Sequence, residues 1–81
     1  MTHQPTLIER FRDLATDIAE RDFSHVQGND TIAELGIDSL GILEIIGSLE
    51  REFSIKLPDE LLSNVQTVDD LLAIIESQRA A

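Results

Sequence analysis

Helical periodicity, with no competing pattern, is the feature that most constrains the fold. Apolar residues recur three and four positions apart along three stretches, and no apolar/polar alternation survives beyond four residues. The first stretch runs from Thr6 to Glu20, with Leu7, Phe11, Leu14 and Ile18 in register and Ile8 and Ala15 beside them. Thr6 with Glu9 three residues on forms a capping-box pair, and Pro5 discourages an earlier start. The second runs from Ser39 to Phe53, where Leu40, Leu43, Ile46, Leu49 and Phe53 mark the expected buried face. Ile42 and Ile45 widen that stripe or lie near the surface. The third begins after Thr67, with Asp69 and Asp70 in its first turn, where the helix dipole favours acids, and Val68, Leu71, Leu72 and Ile75 as its apolar face. Pro58-Asp59-Glu60 opens a short additional helix with Leu61 and Leu62 turned inward. Residues 77–81 are expected to fray. The fold class read here is all-α: a small four-helix bundle of three longer helices and one short one.

Residues 22–38 form the longest connection. Gly28-Asn29-Asp30 signals a turn, yet Phe23, Val26, Ile32, Leu35 and Ile37 are too apolar for a loose linker. The expectation is an ordered loop packed on the helices, with a helical turn at 31–35. A loop of this length in a compact domain usually serves a function.

Eighty-one residues make one domain, read here as 1–81 with a core at about 6–76 and frayed ends. Sixteen acids against six bases give a net charge of −10, which disfavours nucleic acid and anionic membrane surfaces and favours basic protein partners. The 42% hydrophobic content argues against disorder. The absence of cysteine removes disulfides and thiolate metal sites. His3 and His25 are too few and too scattered for a metal site. No run is long and apolar enough to span a membrane, and the first residues lack the pattern of a signal peptide, so the expected address is the cytoplasm. No Ser-His-Asp order, paired-carboxylate signature or phosphate loop is present, which argues against an enzyme.

The most informative local feature is Asp38-Ser39-Leu40. A glycine-bearing loop, Glu34-Leu35-Gly36-Ile37, ends in an acid and a serine where a helix begins. A helix N-terminus favours a phosphate, so a hydroxyl there can be modified and held toward solvent. Read alone, Ser39 is an N-cap and nothing more.

The ordered series says more. Leu35-Gly36-Ile37-Asp38-Ser39-Leu40, Glu44, Leu49-Glu50-Arg51-Glu52-Phe53, Leu57-Pro58-Asp59-Glu60 and Thr67-Val68-Asp69-Asp70-Leu71 together resemble the acyl carrier proteins over about Thr6 to Ile75. The resemblance implies a four-helix bundle with 4′-phosphopantetheine, supplied by coenzyme A, on Ser39. It implies that Asp38 and Leu40 flank the attachment site, and that Leu40 and Glu44 meet a phosphopantetheinyl transferase and partner enzymes. It also implies an acidic rim at Glu50, Glu52, Asp59 and Glu60, facing basic patches on loading and condensing enzymes. The expected docking face comprises Leu40, Gly41, Glu44, Ile45, Gly47, Glu50, Asp59 and Glu60, on a monomer.

The chain departs from the fatty-acid type at Gly41, which stands where an acid is usual, and at Gly47, where a larger apolar residue is usual. Thr31 replaces a common apolar loop residue, and Arg51 interrupts the acids. Each helical glycine costs roughly 1 kcal/mol relative to alanine, so two suggest close approach of a partner. The expected function is a thioester carrier in a dedicated secondary-metabolite, polyketide-type pathway. The alternatives are a housekeeping fatty acid carrier, an aminoacyl or peptidyl carrier (including the D-alanyl type), and an unmodified interaction protein with the same fold.

Overall fold

A computed structural model describes residues 6–80. Four α-helices follow in order: α1 (Leu7–Ala19), α2 (Ser39–Phe53), α3 (Asp59–Leu62) and α4 (Val68–Ala80), with a 3₁₀ turn at Ile32–Leu35. The all-α four-helix expectation holds, as does the helical turn inside the long loop. The expectations placed on Pro5, His3 and Ala81 lie outside the described residues.

Capping fixes the starts. The Thr6 hydroxyl accepts from the Glu9 backbone N–H at 3.3 Å, and the Glu9 carboxylate accepts from the Thr6 N–H at 2.8 Å. The start of α4 repeats the device: the Thr67 hydroxyl accepts from Asp70 N–H at 3.1 Å. The Asp70 carboxylate in turn accepts from the backbone N–H groups of Thr67 at 3.1 Å and Gln66 at 3.0 Å. Those bonds hold the Asp70 carboxyl below its ordinary value of 3.8, with the Thr67 N–H the larger cause.

Helix α1 packs on α2 and α4 around Phe11, Ala15, Ile45, Leu49, Leu71 and Ile75, all buried. Phe23, Val26 and Leu57 close the core from the connections. The long loop is fastened to the front of α4 by three backbone bonds: Ile32 N–H to Gln66 O, Val68 N–H to Asp30 O, and Asp69 N–H to Gly28 O. They frame a single antiparallel bridge between Thr31 and Thr67, and among the described residues no strand develops from it.

Three expectations are corrected. The buried stripe of α2 is Gly41, Ile45 and Leu49 rather than one running through Leu40 and Leu43, which are 66% and 62% exposed. Successive steps of three residues each fall about 60° short of a full helical turn, so a stripe drawn 40-43-46-49 spirals off the packed face. A glycine also adds no apolar signal to mark the true face. Leu61 is 38% exposed, since α3 is one turn long and seats only Leu62 against the core. Residues 77–79 continue α4 instead of fraying: Arg79 pairs with Glu76 at 3.3 Å and stacks on the Phe53 ring at 4.9 Å.

Candidate functional site

The site is built at the junction of the long loop and α2. Gly36 ends the 3₁₀ turn in the left-handed region at φ 77°, where glycine carries no Cβ penalty. The Arg21 guanidinium donates to the carbonyls of Leu35 and Gly36, both at 3.0 Å, and lies over the Phe23 ring at 5.1 Å. The chain is thus fastened three residues before α2 begins.

Asp38, not Ser39, caps α2. Its carboxylate accepts from Gly41 N–H at 2.7 Å, and its carbonyl accepts from Ile42 N–H at 3.0 Å. Ser39 is the first residue of the helix and is exposed, and its hydroxyl has no hydrogen-bond partner among the described residues. The capping role that alone would explain a serine here is taken by its neighbour. The backbone N–H groups of Ser39 and Leu40 have no protein acceptor either. A phosphate ester on Ser39 Oγ would meet both free amides and the positive end of a 15-residue helix.

Ser39 also lines a cleft of about 580 Å³. One wall is the inner edge of α2 with Ile42, Leu43 and Ile46; the other is Thr31, Ile32 and Ala33 with Leu62, Val65 and Gln66; Phe11, Ile45 and Leu71 form the floor. The lining is mostly apolar.

The expected docking residues divide into four kinds. Leu40, Glu44, Asp59 and Glu60 are exposed, with Leu43 and Leu61 added to them by the structure. Ile45 is 1% exposed and belongs to the core, so it cannot meet a partner. Gly41 is buried as well. A Cβ built there would stand 2.7 Å from Ile37 Cγ2 and 3.1 Å from Asp38 Oδ1, so the close approach is within the molecule. Gly47 has only the Arg51 guanidinium near it, at 3.5 Å. Glu50 is half-buried and accepts from Leu57 N–H at 2.7 Å, tying the α2–α3 connection to α2. Leu43 and Leu61 escaped sequence reasoning because both were assigned inward. The signal that could have found Leu43 is its place opposite the 41-45-49 face of α2, and for Leu61 its place in a one-turn helix directly after Asp59 and Glu60.

The arginines all bond within the chain. Arg10 pairs with Glu52 at 2.8 Å, Arg12 donates to Val26 O at 2.7 Å, Arg21 holds the loop, Arg51 donates to Ser48 at 3.3 Å, and Arg79 pairs with Glu76. Each arginine is engaged within its own chain, and the acids dominate what remains.

Comparison with known proteins agrees with this geometry. The sequence family described as "Phosphopantetheine attachment site" matches residues 9–75. An acyl carrier protein of Thermosynechococcus vestitus is 34% identical over 80 residues, covering 98% of this chain and 99% of its own. One from Clostridium acetobutylicum is 35% identical over 72 residues, covering 88% and 94%. Among solved structures, the acyl carrier protein of Thermotoga maritima superposes with a TM-score of 0.80 at 30% identity, covering 89% of this chain and 85% of that one. A 3,5-dioxohexyl carrier from the actinorhodin polyketide synthase of Streptomyces coelicolor superposes at 0.73 with 25% identity, covering 99% and 96%. No described helix is long and apolar enough to cross a membrane. With a capped helix presenting a free serine, and a family match across most of its length, the chain belongs to the acyl carrier proteins: a carrier rather than an enzyme, bearing a covalent 4′-phosphopantetheine arm and served by a phosphopantetheinyl transferase and acyl-handling enzymes.

Proposed function

We propose that Ser39 is the attachment residue and that the chain carries polyketide-type intermediates of a dedicated secondary-metabolite pathway in the cytoplasm. The observation that carries the first part is the exposed Ser39 hydroxyl, left without a partner because Asp38 caps the helix. The arm supplies a thiol that holds an acyl group as a thioester; the protein contributes binding, orientation and delivery. Asp38 keeps the first turn of α2 closed and so fixes where Ser39 points. Tethering raises the effective concentration of cargo at a docked enzyme.

Two observations support the polyketide reading. The residue two positions past the serine is a buried glycine, so no acid stands beside the arm where fatty-acid-type partners meet one. The Streptomyces coelicolor neighbour is a polyketide carrier bearing a triketide mimic. A housekeeping fatty acid carrier is the second reading, favoured by the mostly apolar lining of the cleft beside Ser39.

The docking surface proposed for partners is Leu40, Leu43 and Leu61 with Glu44, Asp59 and Glu60 around them. Two leucines about two-thirds exposed next to acids suit a partner with an apolar pocket ringed by Lys and Arg. Intact mass after incubation with coenzyme A and a broad-specificity transferase tests the attachment site. The parent gains the arm and Ser39→Ala does not; an adduct on the variant would move the site elsewhere. Side-by-side loading and elongation against a housekeeping carrier tests the pathway. Slow turnover by fatty acid elongation enzymes is expected, and equal turnover would return the chain to fatty acid synthesis.

A further inference from the structure

Two polar side chains stand in the apolar lining of the cleft without a hydrogen bond to any described residue. Four threonines are described. The hydroxyls of Thr6 and Thr67 cap helices, and that of Thr16 accepts from Phe23 N–H at 3.0 Å. Thr31 precedes the 3₁₀ turn in the capping position, yet its hydroxyl makes no cap bond and has no other partner. Gln66 is exposed and held by its backbone, which donates to Asp70 and accepts from Ile32, while its side-chain amide has no partner among the described residues. The two residues stand side by side, since Ile32 N–H bonds Gln66 O at 2.8 Å and Thr31 bridges Thr67. Both line the apolar cleft that Ser39 lines, and they are the only polar residues of that lining besides Ser39 itself.

A saturated acyl chain lying over Thr31 and Gln66 would set methylenes against them, and covering a hydroxyl or amide without giving it a partner is unfavourable. A chain with a carbonyl or hydroxyl oxygen would instead accept from Thr31 Oγ1 or the Gln66 amide. The wall that carries them is rigidly placed by the loop-to-α4 backbone bonds. We infer that Thr31 and Gln66 form a polar notch that selects oxygenated acyl cargo over saturated cargo in the cleft beside Ser39. The inference rests on the proposed attachment at Ser39 and on cargo entering that cleft, and it assigns the chemical class the cleft prefers.

The test uses holo-protein with the arm loaded, through a stable amide in place of the thioester, with octanoyl or with 3-oxooctanoyl. The readout is backbone amide chemical shifts at Ile42, Ile46, Thr31 and Gln66, which report the fraction of cargo in the cleft. In the parent, 3-oxooctanoyl should shift these amides further than octanoyl. One neutral hydrogen bond corresponds to about a fivefold change in the occupied-to-exposed ratio. Thr31→Val with Gln66→Leu should lose that preference and raise octanoyl occupancy. Thr31→Ser, which keeps a hydroxyl, should retain it and guards against a folding artefact. Equal shifts for both arms in the parent, unchanged in the double variant, would overturn the notch while leaving cleft occupancy standing. Absence of cleft shifts with either arm would overturn both. A normal adduct on Ser39→Ala would refute the attachment site independently of either.

Discussion

Replacing Gly41 and Gly47 with alanine, one at a time, separates two glycines that are equivalent by helix propensity. Each lies inside α2, and each should gain about 0.5–1 kcal/mol from an alanine if nothing else changed. At Gly47 nothing else does: the new Cβ meets only the end of the Arg51 side chain at 3.5 Å, an ordinary contact with a group free to move. At Gly41 the Cβ lands 2.7 Å from Ile37 Cγ2, closer than carbon atoms tolerate, and 3.1 Å from the Asp38 carboxylate that caps the helix. Ile37 is packed against the core, so relief requires the loop to shift or the cap to loosen. Overpacking of this kind costs about 1–3 kcal/mol, which outweighs the propensity gain. Gly47→Ala should therefore be stabilised and Gly41→Ala destabilised, and because the propensity gain is common to both, the two should differ by the overpacking cost, roughly 1–3 kcal/mol. For a domain this size each kcal/mol moves Tm by about 4–8 °C. Urea titration followed by far-UV circular dichroism measures both midpoints, and unchanged m-values would show that the midpoint shifts report stability. A Gly41→Ala protein as stable as its parent would refute the packing argument. It would also reopen position 41 to the acid that fatty-acid-type carriers place there.

Three further expectations follow from bonds already described. Glu44→Lys should slow arm attachment roughly two- to fivefold at low salt with the fold unchanged, and the deficit should shrink as salt rises; a salt-independent rate in the parent would count against charge-guided docking. Glu50→Ala should lower stability by about 1 kcal/mol by orphaning the Leu57 N–H, yet alter the attachment rate less than Glu44→Lys does, and the reverse order would place Glu50 in the docking face. Because the folded-state pKa of Asp70 lies below 3.8, its carboxylate contributes stability that is complete above that value and lost as pH falls through the lower folded-state pKa. Asp70→Asn should thus flatten the acid limb of the Tm–pH curve, and an identical limb in the variant would remove Asp70 from its causes.

Local chemistry was legible in the sequence because it is written within a few residues. The Thr6–Glu9 capping box, the start of α2 at Ser39 and the role of Thr67 and Asp70 each depend on partners three or four positions away. The buried face of α2 was not legible. Its centre is a glycine that adds nothing to an apolar pattern, and leucines turned to solvent give the same signal as leucines turned inward. Non-local bonds were equally hidden. That Arg21 would reach the carbonyls of Leu35 and Gly36, or that residues 28–32 would lie beside 66–69, depends on the path of a 17-residue connection whose backbone obeys no period. For Ser39 the sequence offered two readings, cap or attachment point; the Asp38 bond to Gly41 gives the capping role to Asp38, and attachment at Ser39 is the proposal that intact mass tests.

The bonding of every arginine within the chain shapes how partners arrive. Arg10 and Arg79 are ion-paired within the chain, and with sixteen acids against six bases the molecule presents an outer field dominated by negative charge. Such a field draws a basic enzyme in and turns its basic patch toward the carrier, but does not by itself fix the register of the pair. Encounter is therefore fast, and the pair searches for its register after contact. What ends the search is short in range: the Leu40, Leu43 and Leu61 side chains, which gain free energy only when water is squeezed out against a matching pocket. Speed of meeting and fidelity of fit are then governed by different residues, so one carrier can visit many enzymes quickly and still dwell only on those shaped to receive it.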